Sequence, residues 1–255
     1  MLSRLRIPYL PVSLPRFFTT QYKVDPDTIA TMCGRYALHA NPEVIALAFK
    51  LGLTPGIKAH YNIAPGTRVL IVRDDKQRGR IADIYRWGLI PRWAKDPAIG
   101  NRLANARGET VAEKPSFRHA FRHWRCLIPA SGFYEWQGLK GRKQPYYICP
   151  KDHELFGIAG LTELWQGPDG PVHSCAIITT GPNELMKNIH DRMPVILRPE
   201  DYSTWLDPDN QATAELQQLL KPYPAAVMAA HPVSPRVNTV KHDDPALIAP
   251  FKSIV

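Results

Sequence analysis

The sequence lacks any apolar run close to the ~18 residues that a membrane-crossing helix needs, which excludes a helical span. Cysteine is scarce: the four copies at 33, 126, 149 and 175 show no CxxC spacing. That argues against a disulfide framework and for reduced thiols in a cytosol-like compartment. Acidic residues are also short, 23 against 32 Lys and Arg, giving a formal net charge of +9. Residues 1–32 carry four basic and two acidic residues, so +7 of this belongs to residues 33–255. A basic folded body favours an anionic partner, and nucleic acid is the commonest one. There is no internal repeat, no low-complexity tract and no compositional break. With 255 residues at 44% apolar content, the chain can bury a large core without metal or disulfide staples.

Many short strand-like runs are present. Asn41-Pro42-Glu43 combines a capping side chain, a proline for the first turn and an acid at the positive dipole end, predicting a helix whose apolar face is Val44, Leu47, Ala48 and Leu51, stopped by Gly52. Residues 61–66 read as a loop. Residues 67–73 and 81–87 read as a hairpin around the polar segment 74–79. Segment 87–105, with two tryptophans and two prolines, has no regular period, so it is either packed or a binding surface. Residues 117–125 suggest a short basic helix. Its His119 and His123 have zinc-ligand spacing, but with no carboxylate between them and three arginines around them, a solvated or phosphate-facing helix is preferred to a metal site. Further strands are expected at 126–129, 133–137, 145–149, 156–161, 175–180 and 225–230, with helices near 199–206 and 213–220. Strands at short intervals with helices between and after them predict an α+β fold with a mixed or largely antiparallel sheet.

The organising stretch is Met32-Cys33-Gly34-Arg35-Tyr36. A cysteine freed of the residue before it carries two nucleophiles on adjacent atoms, an α-amine with a pKa near ~8 and a thiol near ~8.5. Together they can capture an aldehyde, the amine as an imine and the thiolate by closing a thiazolidine. The bland alternative is a small buried core residue. Residues 1–32 then need an account: Met32 is the true start, the segment is a propeptide, or it is a weak organellar targeting peptide. Three arginines and no acid before Asp25 fit the last, but Pro8, Pro11 and Pro15 spoil its helix.

Further blocks follow in order: Tyr61-Asn-Ile-Ala-Pro65, Asn105-Ala-Arg107-Gly-Glu109, Cys126 through Gly-Phe133-Tyr-Glu135-Trp136, Ile189-His190-Asp191-Arg192-Met193-Pro194, and His231 through Asn238. With Met32–Tyr36 they resemble the SRAP family, the SOS-response-associated peptidases that crosslink to abasic sites in single-stranded DNA, from Cys33 to about Pro250. The resemblance implies a single compact, barrel-like sheet flanked by helices over residues 33–255, with residues 1–32 as an upstream extension. It also implies that Cys33 becomes residue one and acts as the crosslinking nucleophile, with Asn105, Glu135 and His190 as its partners.

Those residue types suit the chemistry. An abasic sugar rests as a hemiacetal, and opening it needs a proton donor and acceptor. Glu135 between Tyr134 and Trp136 should lose solvation and hold its proton more tightly. His190 can shuttle protons near pH ~6.5, and the Asn105 amide can orient an oxygen or amine. Arg35, Arg107 and Arg192 lie within two residues of Cys33, Asn105 and His190 and, if these motifs converge, could fork onto phosphates. Trp93 and Trp136 could stack on bases, worth about 1–3 kcal/mol each, and Pro65 would shape the groove. The expected protein is a monomer in the cytoplasm, nucleoid-associated if bacterial, that uses no metal or cofactor. Two alternatives stay open: a cysteine peptidase limited to the Met32–Cys33 bond, and a non-covalent single-strand binding module.

Overall fold

The computed structural model describes residues 34–138 and 143–252. Among the described residues thirteen strands form two sheets. The first runs in the order β13 (Met228–Pro232), β8 (Gln144–Pro150), β7 (Gly132–Gln137), β1 (Arg35–Leu38) and β2 (His60–Ile63), with every pair antiparallel. The second contains β3 (Arg68–Asp75), β4 (Gly79–Trp87), β6 (Arg125–Ala130), β9 (Phe156–Gly167) and β10 (Gly170–Thr180). The order β10-β4-β3-β6-β9 returns to β10, so these five strands close on themselves as a barrel. The β10–β4 pair is parallel and the other barrel pairs are antiparallel. Three short strands attach: β5 (Asn105–Arg107), β11 (Met193–Pro194) and β12 (Ile196–Leu197). The fold is α+β with a mixed sheet, as the strand spacing predicts.

Local chemistry explains the elements. β3 and β4 pair down to Asp75↔Gly79, tighter than the sequence suggests. The Asp75 carboxylate accepts from the backbone N–H groups of Gln77 and Arg78, and Gly79 takes φ 69°, which a side chain disfavours. β6 is buried at all six positions, with no alternation, because the barrel interior lies on one side and two helices, α2 (Arg118–His123) and α3 (Tyr202–Leu206), pack on the other. Ser131 alone separates β6 from β7 and steers the chain from barrel to open sheet. Its N–H donates to Ala37 O at 2.7 Å, and its hydroxyl accepts from the N–H groups of His39 and Ala40.

The first helix, α1 (Pro42–Ala48), begins at Asn41, but it buries Ile45 and Phe49 instead of the predicted face; Leu47 is 82% exposed. Positions i and i+4 face the core here. The turn ends at Lys50, which takes φ 53°, ahead of the expected stop at Gly52. Residues 61–63, expected as the start of a loop, instead form an edge strand with His60. The last strand starts three residues later than predicted, after a 3₁₀ turn at Ala225–Val227, and a fourth helix, α4, covers Thr213–Gln218. Among the described residues no helix is long and apolar enough to cross a membrane.

Arg125 ties helices to the barrel. Its side chain donates to the carbonyls of Phe121, Arg122, Trp205, Asp207 and Asn210 at 2.6–2.9 Å, and burial lowers its pKa to about 10, which leaves it charged at neutrality. Arg125→Ala should lower the unfolding free energy by about 3 kcal/mol or more, since buried carbonyls lose charge-assisted partners. Arg125→Lys should recover only part of it, because an ammonium cannot reproduce the planar fork. Urea midpoints check this; a wild-type midpoint in Arg125→Ala would contradict the clamp.

Candidate functional site

Glu135 on β7 and His190, which follows the 3₁₀ turn Met186–Asn188, come together. The Glu135 side chain is only 3% exposed, and its Oε2 lies 3.9 Å from His190 Nε2, wider than a hydrogen bond. The Arg192 backbone N–H points at His190 Nδ1 at 3.1 Å. A neutral ring that accepts there carries its proton on Nε2, facing Glu135. Asp191 Oδ1 also stands 3.1 Å from Nδ1 and suits the protonated ring. The Gln137 side chain, two residues along β7 from Glu135, donates to Asn188 O at 2.7 Å and pins the His190 loop to the strand carrying the acid.

Asn105 and Arg107 arrive through β5, which pairs in parallel with β10 as Ile177↔Asn105 and Thr179↔Arg107. The His190 loop is fastened to the same place. Arg192 grips both carboxylate oxygens of Glu109 at 2.6 and 2.9 Å and donates to Thr179 O at 2.7 Å. Thus the Asn105–Glu109 and Ile189–Pro194 segments are bolted together across the end of β10. Glu109, quoted within its motif but given no role from sequence, is the bolt. Arg192 is therefore engaged with protein acceptors, and only Arg107 of the three named arginines is exposed.

Arg35 departs from the expected phosphate fork. Its side chain is buried, donating to Asn62 Oδ1 at 2.9 Å, Val237 O at 2.7 Å and Asn238 O at 3.2 Å, and burial lowers its pKa. Asn62 in turn donates to the carbonyls of Val237, Thr239 and His242. The Tyr61–Pro65 and His231–Asn238 blocks are thus lashed around the start of β1. Trp136 belongs to the same bundle, half-buried with its Nε1 donating to Asn238 Oδ1 at 2.8 Å, and Pro65 is half-buried where β2 leaves for β3. Trp93 stands apart from these contacts. It is 56% exposed and lines a cleft that includes none of Glu135, His190 or Asn105.

Cys33 lies outside the described residues. The chain just after it is placed: β1 pairs with β7 as Arg35↔Tyr134 and Tyr36↔Phe133, so Gly34 precedes a residue paired with the immediate neighbour of Glu135. Among the described residues no group of three or more His, Cys, Asp or Glu side chains could hold a metal ion.

A closed five-stranded barrel with an open sheet beside it, carrying an acid–imidazole pair beneath the start of β1, defines a class of protein in which one end of the barrel collects several sequence-distant loops. Comparison with known proteins gives that class its family. Residues 32–240 match the family model described as SOS response associated peptidase, and the chain belongs to this SRAP family. It is 47% identical over 222 residues to the abasic site processing protein YoqW of Bacillus subtilis, covering 85% of this chain and 99% of that one. The abasic site processing protein HMCES of Gallus gallus is 34% identical over 211 residues, 73% of this chain and 62% of the relative. A crystal structure of a Bacteroides thetaiotaomicron protein superposes with TM-score 0.75 at 29% identity, covering 86% of this chain and all of that one.

The Glu109–Arg192 bridge gives a pH test. Hydrogen bonding from Arg192 lowers the Glu109 pKa from its ordinary value near 4.5. The bridge therefore contributes stability that is fully present above about pH 4.5 and is lost as pH falls through the lower folded-state pKa. Wild type and Glu109→Gln should differ in melting temperature at pH 7 and converge in strong acid. A difference independent of pH would show that the bridge is not the cause.

Proposed function

We propose that this chain processes abasic sites in DNA and does so by covalent capture of the lesion in single strands, with Cys33 as the N-terminal residue once nothing precedes it. The observation that supports the reading is the register of β1 on β7, whose Arg35↔Tyr134 pair directs the chain start toward the neighbouring Glu135, itself 3.9 Å from His190. The names of the relatives support the abasic substrate.

The chemistry follows from those groups. Glu135 and His190 exchange protons with the sugar oxygens, opening the hemiacetal to its aldehyde. The Cys33 amine adds to the aldehyde carbon and water leaves, giving an imine. The thiolate then adds to the same carbon, the nitrogen takes up a proton, and a thiazolidine closes. Aldehyde, amine and thiol become the ring plus one water. His190, whose Nε2 lies 3.9 Å from Glu135 Oε2, would pass a proton through a substrate oxygen that bridges the two groups from one side. Asn105 orients the reacting oxygen or amine. Arg107 supplies an exposed cation for a flanking phosphate, while Arg35 and Arg192 hold the walls of the site. Trp136 and Pro65 border the path of the strand. The reaction as written draws on no cofactor, and the protein would act as a monomer in the cytoplasm. The family's description as peptidase fits a cleavage confined to the Met32–Cys33 bond.

The protein whose mass begins at Cys33 should shift an abasic single-stranded oligonucleotide on a denaturing gel, and Cys33→Ser should abolish the shift. No shift from wild type with a verified N-terminal Cys33 would overturn the reading. Glu135→Gln and His190→Ala should slow crosslinking by about 10²-fold or more with binding of intact strands retained. Equal loss of both would assign the two residues to the fold. Affinity for intact strands should fall steeply with salt, since each phosphate contact adds about 0.7 to the log–log slope.

A further inference from the structure

The cleft at Trp93 is built from chemistry that the reading above leaves unused. Its volume is about 540 Å³, and Arg92, Trp93, Pro115, Arg118, His119 and Glu163 line it. Glu163 is 3% exposed. Its Oε1 accepts from Arg92 Nε and from the Leu164 backbone N–H, both at 3.3 Å. Oε2 lies 3.8 Å from His119 Nδ1, beyond hydrogen-bond reach, and that nitrogen is buried without a partner. A carboxylate oxygen and an unpartnered ring nitrogen thus lie side by side in the cleft lining. On the walls the Arg92 guanidinium lies over the Trp124 ring at 4.6 Å, and Trp93, anchored by Nε1 to Pro115 O at 3.4 Å, exposes its ring.

A cleft with two guanidinium groups and an exposed tryptophan beside it suits a nucleotide, but a phosphate is the wrong part to meet a buried carboxylate. Glu163 accepts only, so what it faces must donate. Guanine presents two adjacent N–H donors, N1 and N2, on one edge and acceptors O6 and N7 next to them. Adenine, cytosine and thymine each offer that carboxylate a single donor group. Exposed bases of single strands are read in this way, by stacking on an aromatic ring and bonding along the Watson–Crick edge, and guanidinium is the usual partner of guanine O6 and N7.

We propose that this cleft takes an unpaired guanine of the bound strand, stacked on Trp93, with N1–H and N2–H donating to Glu163 and O6 accepting from Arg92 or Arg118. The source of the guanine rests on the DNA reading above. Its position relative to the lesion is constrained by register. Glu163 pairs with Ser174 of β10 and Asn105 with Ile177, three residues further on, which is roughly 10 Å along the strand. An odd separation places the two side chains on opposite faces of the ribbon, so a strand reaching both bends around segment 88–104, and the guanine is not fixed as the nearest neighbour of the lesion.

The test uses wild-type protein and thymine oligonucleotides carrying a single guanine, inosine or thymine, both undamaged and with one abasic site from which that base is stepped one to four positions to either side. Inosine lacks only the N2 amino group. Guanine should bind about tenfold more tightly than inosine or thymine on undamaged strands and speed crosslinking at one preferred step. Glu163→Gln should bring guanine down to the inosine level, and Trp93→Ala should weaken all three. Equal affinity for the three bases at every position overturns the proposal, even if Arg92→Ala or Arg118→Ala changes the salt dependence, which would mark a phosphate contact alone. Preference for guanine on undamaged strands without any crosslink sustains the cleft and removes the lesion reading. Crosslinking without base preference does the reverse.

Discussion

The structure depends on β10 being paired along both edges. On one edge it carries β9 and then β11; on the other it carries β4 and then β5. The first halves of those pairings close the barrel. The second halves, beyond the point where β9 and β4 end, capture two short segments from distant parts of the chain. The captured segments pair with β10 at Ile177–Thr179 and at Thr179–Thr180, so they stand where backbone hydrogen bonding to that one strand holds them. Asn105 and His190 are 85 residues apart, yet they belong to segments held by the same few residues of one strand.

Charge completes what pairing begins. Arg35, Arg125 and Arg192 each direct guanidinium donors to backbone carbonyls, and each joins elements far apart in sequence. Their terminal nitrogens are matched, although the Nε of Arg35 and of Arg192 is buried without a partner, and a carbonyl whose donor is removed is left costly. These clamps therefore have little freedom to rearrange, which is how a set of short loops can hold an acid and an imidazole at fixed separation. The net positive charge does not translate into a ring of free arginines at the site. Part of it is consumed in holding the walls, and Arg107 is the cation left facing out.

Much was legible beforehand because it is local. The hairpin of β3 and β4, the six-residue β7 and the short helix at 118–123 follow from alternation, turn residues and helix-forming runs. Where the reading failed, tertiary contacts had overridden local pattern. Leu47 looked like core and is exposed because the sheet meets α1 on the Ile45–Phe49 side. Residues 61–63 looked like loop and became strand because β1 offered an edge, with Asp243 accepting from the Tyr61 and Asn62 N–H groups. Glu109 and Asn62 carried no visible role, since a bolt is recognised only when both of its ends are known.

By itself the sequence determined the family, the α+β class and the residue types able to perform the chemistry, because motif order and short-range pattern are written along the chain. Only the tertiary structure decided that Arg35 and Arg192 are clamps, that Glu135 is buried near His190, and that Glu163 and His119 lie side by side in the lining of one cleft. Burial and partnership are properties of the space between segments, set by strand register and packing, and no window of consecutive residues contains them.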